Sequence, residues 1–222
     1  MKYEELGRGF IKKREKKVVG LFIDGTGLDR ATRRINRKVD MSALVRGVTS
    51  GIAPVVARYY TLVPYEDDSR QRAFLDAVSR AGLSVIVKRL PPKGINRQVS
   101  VDLEMAADIV AFSLGHTTFS RENEYLPVDH PLRSAQSHST RDDSRSASAE
   151  SAKDGDPERL EKASRSVVVV CPSRELAYPL GLSKEFEVDT TTADFGQFNT
   201  GDVLKSAAKW IDLSDSETIW RD

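Results

Sequence analysis

Val18-Val19-Gly20-Leu21-Phe22-Ile23 is the stretch that most narrows what this chain can fold into. The run is too short for a buried helix. It is also continuous rather than alternating, as in a strand covered by helices on both faces of a parallel sheet. It ends on Asp24-Gly25-Thr26-Gly27. Ligands of such sheets bind outside the carboxyl ends of the strands, so Asp24 stands where chemistry is done. An aspartate before Gly-Thr-Gly also serves as a plain turn cap, bonding to the backbone N–H groups that follow, and both readings stand at this point.

The remaining apolar pattern repeats the theme. Gly25 to Lys38 reads as a loop carrying Arg30, Arg33, Arg34, Arg37 and Lys38. Asp40 is placed to cap a helix starting at Met41. Pro54 to Val63, β-branched and aromatic, reads as a second strand, and Leu83 to Leu90 as a third, with a helix from about Asp67 to Ala81 between them. A basic turn around Lys93-Gly94 leads into a helix over Val99 to Ala111, with Asp102 in its first turn. Val167-Val168-Val169-Val170-Cys171 is another buried strand, Glu185 to Val188 a short fifth, and Val203 to Ile211 a final amphipathic helix. Alternating strands and helices imply right-handed crossovers, hence an α/β fold with a doubly wound parallel sheet flanked by helices.

Not all of the chain fits that scheme. From 117 to 165 serines and charges interleave with almost nothing apolar to bury, which predicts a disordered insertion within a domain running from 17 to 213. Residues 1–16 read as a basic lead-in and 214–222 as a tail. The single cysteine, Cys171, has no intramolecular partner, and His116, His130 and His138 lack zinc-ligand spacing. No run has the core of a signal peptide or the length of a membrane span, so the expected setting is cytoplasmic, with no membrane partner. With a formal net charge of only +1, a nucleic acid would have to be held by local basic clusters.

Such clusters are present beside acids. If the first and fourth strands are neighbours, Asp24 at the end of one, Glu175 just past the other and Asp102 at a nearby helix start converge on one rim. Clustered carboxylates repel one another unless a hard divalent cation neutralises them, and Mg²⁺ or Mn²⁺ held this way activates water against a phosphodiester. Arg33, Arg34, Arg37 and Lys38 on one loop, and Lys88, Arg89, Lys93 and Arg97 on another, are suited to track the backbone of a nucleic-acid strand. A phosphate cradle for a nucleotide is not indicated, since the third glycine of a dinucleotide turn and the lysine of a P-loop are both missing.

Phe22-Ile23-Asp24-Gly25, the strand–helix–strand middle, Lys93-Gly94 followed by Val101-Asp102-Leu103, Ala107-Asp108-Ile109 and the later valine-rich strand together resemble the NYN domains of the PIN-like nuclease superfamily. The resemblance implies a PIN-like Rossmann fold and metal-dependent cleavage of RNA. It makes Asp24 and Asp102 metal-binding and catalytic positions, and places Asp108 at a further acid of that helix. Two positions depart from the pattern. Gly27 stands where the family usually has asparagine, and Cys171-Pro172-Ser173-Arg174-Glu175-Leu176 replaces a turn with two aspartates, leaving Glu175 as the substitute ligand and Arg174 as a rival of the cation. Two readings follow: a Mg²⁺- or Mn²⁺-dependent ribonuclease, or a catalytically inactive NYN-like module that binds RNA or a protein partner. A homodimer is compatible with either.

Overall fold

The computed structural model describes residues 17–66, 69–127, 163–196, 201–214 and 217–220. Six parallel strands form one sheet in the order β3-β2-β1-β4-β5-β6: β1 Lys17–Asp24, β2 Val56–Val63, β3 Ser84–Arg89, β4 Ser164–Val170, β5 Asp189–Asp194 and β6 Lys209–Asp212. The apolar run that opens the chain is central: β1 lies between β2, with Gly20 opposite Val56, and β4, with Ile23 opposite Val170.

Alternate residues of each strand feed two cores. Val19, Leu21 and Ile23 of β1 and Tyr59 of β2 pack under helices α1 (Gly25–Ile35), α2 (Met41–Val48) and α3 (Ser69–Arg80), which contribute Leu28, Leu44, Val48, Leu75 and Val78. Val18, Phe22, Tyr60, Val167 and Val169 face the other way, onto α4 (Asp102–Ser113), α5 (Ala177–Glu185) and α6 (Gly201–Ser206). The expected α/β architecture, a parallel sheet between two helical layers, is what the chain adopts.

Several elements differ from the sequence reading, each for a local reason. The stretch after Asp24 is helix α1 rather than a loop. Its two early glycines have poor helix propensity, but close approach demands them. A Cβ on Gly25 would fall 2.2 Å from Cζ of Tyr59, and one on Gly27 would fall 2.6 Å from the carbonyl oxygen of Cys171. Asn36 ends the helix in the left-handed conformation, φ 51°. Asp40 caps α2 as expected, accepting from the backbone N–H of Ala43 at 2.7 Å.

The chain from Glu185 to Val188 closes α5 and turns; the strand is the next segment, where Thr190 and Thr192 are fully buried. Their β-branched side chains suit a strand, although hydroxyls hide them from an apolar scan. Likewise Val203 to Ile211 is divided, with α6 ending at Ser206 and β6 starting at Lys209.

The lead-in 1–16 and residues 128–162 of the expected insertion lie outside the described residues. The insertion's described flanks are ordered parts of the fold: Val87 donates its N–H to the carbonyl of Asn123 and Tyr125 donates to Val85, so residues 123–125 line the outer edge of β3. Ser164 and Arg165 already belong to β4. Part of the expected tail is packed as well. Trp220 pairs with Val39 and stacks on Phe195 at 5.6 Å between ring centroids, with the Arg37 guanidinium 4.1 Å from its ring. Among the described residues no helix is long and apolar enough to cross a membrane.

Candidate functional site

Strand order reverses between β1 and β4, where the chain from β1 continues into α1 on one face while α4 lies on the other. A crevice opens at such a switch point. Here it is a cavity of about 420 Å³ at the carboxyl ends of the strands. Asp24, Asp102, Glu175 and Asp194 line it, together with Arg30, Arg34 and Arg174 and with Thr26, Ser100 and Ser173.

Asp24 is only 6% exposed. It caps α1, accepting the backbone N–H of Gly27 at 2.9 Å, so the plain turn-cap reading describes its geometry while its position leaves it on the cavity wall. Burial pushes its pKa from the usual 3.8 up to about 6; the Gly27 bond works against the rise and the nearby charge of Asp102 adds to it. Cys171, at the end of β4, has its thiol pushed up by burial and by the charges of Asp194 and Asp24, which makes it a packing residue rather than a nucleophile.

Asp102 opens α4. Its Oδ1 accepts the hydroxyl of Ser173 at 2.6 Å, its Oδ2 accepts the hydroxyl of Ser100, and its own backbone N–H donates to Ser100 Oγ at 2.9 Å. Glu175 lies on a single 3₁₀ turn, Arg174–Leu176, and is exposed. The guanidinium of Arg174 is turned to α6, with Nε 3.1 Å from Asp202, so it does not occupy the carboxylates of the crevice.

Asp108 does not line the cavity. Six residues beyond Asp102, it is turned by about 240° around the helix. There its Oδ2 receives Arg58 and the Tyr60 hydroxyl, both at 2.6 Å, and burial raises its pKa despite them. Arg58 also donates to the carbonyl of Ser120, so this acid ties α4 and the chain beyond it to β2.

The expected cations divide as well. Arg34 lines the cavity, one turn along α1 from Arg30. Arg33 pairs with Asp29 at 2.9 Å, Arg37 lies over Trp220, and Lys38 is exposed. Lys88 bonds to the carbonyl of Ser100 at 2.9 Å and to Glu104 at 2.7 Å, which anchors the start of α4. Lys93 and Arg97 are exposed on the turn whose last residues, Gln98 to Val101, form a cavity wall.

Sequence reasoning missed Asp194, Arg30 and the two serines as members of this site. Asp194 ends β5 as Asp24 ends β1; it is 6% exposed and accepts the indole N–H of Trp210 at 2.9 Å. Its signal was an acid closing a β-branched run. Ser173 had no signal, because only the fold brings it to Asp102 across 71 positions.

Of the acids that the resemblance implies, Asp24, Asp102 and Glu175 line the cavity together. Among the described residues no three His, Cys, Asp or Glu side chains come together as a metal-holding group. Asp108 is elsewhere, and each oxygen of Asp102 accepts one serine hydroxyl.

Comparison with known proteins agrees with the geometry at the level of the family. The profile of the NYN domain matches residues 18–127, from β1 to the segment that borders β3. The chain is similar in fold to the crystal structure of a protein of unknown function from Vibrio parahaemolyticus, with a TM-score of 0.62, 10% identity, and coverage of 94% of this chain and 98% of that one. Comparison with curated proteins finds no match. An Asp-ended first strand, a basic turn leading into the Asp102 helix and a parallel sheet with a crevice at its reversal thus meet in one domain. The chain contains an NYN domain, residues 18–127, and so belongs with the PIN-like nuclease superfamily.

Proposed function

We propose that this protein is an NYN-type RNA-binding module that holds single-stranded RNA at the β1–β4 crevice without a resident divalent cation and without cleaving it. One observation carries the reading: among the described residues no three His, Cys, Asp or Glu side chains come together as a group that could hold a divalent cation, while arginines line the crevice that Asp24 and Asp102 share. Arg30 and Arg34 on the same cavity supply charge for phosphates, with Lys93 and Arg97 exposed on the adjoining turn.

Fluorescence anisotropy with a labelled single-stranded RNA, in chelator and over graded salt, tests it. Binding persists in chelator and weakens as salt rises, and the double variant Arg30→Ala/Arg34→Ala lowers the slope of log affinity on log salt by about 1.4. Incubation with Mg²⁺ or Mn²⁺ leaves the RNA intact. Metal-dependent cleavage that disappears in Asp24→Asn overturns the proposal.

A ribonuclease using Mg²⁺ or Mn²⁺ is the second reading, and a specific observation favours it. Asp24 and Asp102 line one cavity and are close enough for the charge of Asp102 to raise the pKa of Asp24, a repulsion that a cation would relieve. The same cleavage assay decides between the two.

A further inference from the structure

Resting on the RNA-binding reading, we propose that the crevice selects ribose over deoxyribose, with the carboxylate of Asp102 accepting the 2′-hydroxyl of one bound nucleotide. A carboxylate with no cation over it repels phosphate but is a strong acceptor for a hydroxyl. The two walls of the crevice divide those tasks. Arg30 and Arg34 of α1 attract the backbone, and Asp102 at the start of α4 faces the same cavity.

Asp102 has the capacity. A carboxylate offers about four lone-pair sites. Ser173 takes one on Oδ1 and Ser100 one on Oδ2, which fixes the group's orientation and leaves acceptor sites on both oxygens. The residue is half-buried, reachable from the cavity yet shielded from bulk water. A volume of about 420 Å³ suits a group the size of one nucleotide rather than a duplex. The 2′-hydroxyl is the one group that tells RNA from DNA at a given site, so an acceptor aimed at it becomes a specificity device.

The experiment compares oligouridylate with oligodeoxyuridylate on the full chain, with the same label and salt. Wild type binds the ribo-oligomer about tenfold more tightly, the loss expected for a hydrogen bond to a charged group. Asp102→Asn, checked for folding by circular dichroism, brings the two affinities together, whereas Arg30→Ala weakens both in proportion. As a readout independent of any variant, full 2′-O-methylation of the ribo-oligomer, which removes the donors and keeps the oxygens, lowers its affinity to that of the deoxy-oligomer. Equal binding of the two oligomers by wild type, or a preference that Asp102→Asn leaves intact, overturns the inference. Failure of both oligomers to bind would instead overturn the RNA-binding reading on which it rests.

Discussion

Asp24 carries an electrostatic tension within the crevice. Its pKa is raised, so the folded state binds a proton more tightly than the unfolded chain does. The associated stability is therefore present in acid and lost as pH climbs through about 6. A rise from 3.8 to about 6 corresponds to about 3 kcal/mol. Thermal unfolding should show wild-type stability falling between about pH 4 and pH 6 and levelling off above. Asp24→Asn keeps the oxygen that caps Gly27, so it should remove that dependence and raise Tm at neutral pH. At residue 27 the asparagine usual in the family has no room, and Gly27→Asn is expected to cost about 2 kcal/mol in denaturant unfolding by driving a side chain into the Cys171 carbonyl. The placement of Asp24 at the crevice was legible because an acid ending an apolar run is visible in one dimension. That of Ser173 was not, since a lone serine after a strand has no pattern until its partner is known.

Among the elements, α4 does two jobs with its two acids. Asp102 faces the crevice, while Asp108 fastens the helix to β2 through Arg58 and Tyr60, with the Arg58 side chain 7% exposed. Removing one member leaves a buried charge without its partner, so Asp108→Ala should cost about 3 kcal/mol in urea unfolding. RNA affinity should be unchanged, because Asp108 lies off the cavity. Periodicity made this helix readable but not the division of labour along it. Element boundaries misled wherever polarity and propensity disagreed, as in the glycines that open α1 and the buried threonines of β5. The long valine run of β4 and the aromatic run of β2 were unambiguous, being apolar on both faces.

For the molecule as a whole, the family match and the folding unit do not coincide. The matched region ends at residue 127, yet β1 pairs with β4 at every position from Lys17–Ser164 to Ile23–Val170. A fragment covering 17–127 would bare one flank of its central strand and lose the Cys171–Ser173 wall of the crevice. It should show no cooperative unfolding transition by circular dichroism, while a chain with β4 to β6 restored melts in one step. Parallel order and the site at the point of reversal could be anticipated from alternation alone. The sixth strand and the packing of Trp220 could not, since short pieces of mixed polarity become strand or strap only when a neighbour is already there. The sheet's two margins also differ in kind. Residues 123–125 bond along β3, whereas among the described residues no strand borders the far side of β6. Among the described residues, the margin left open to backbone pairing with an added strand is therefore the one beside β6.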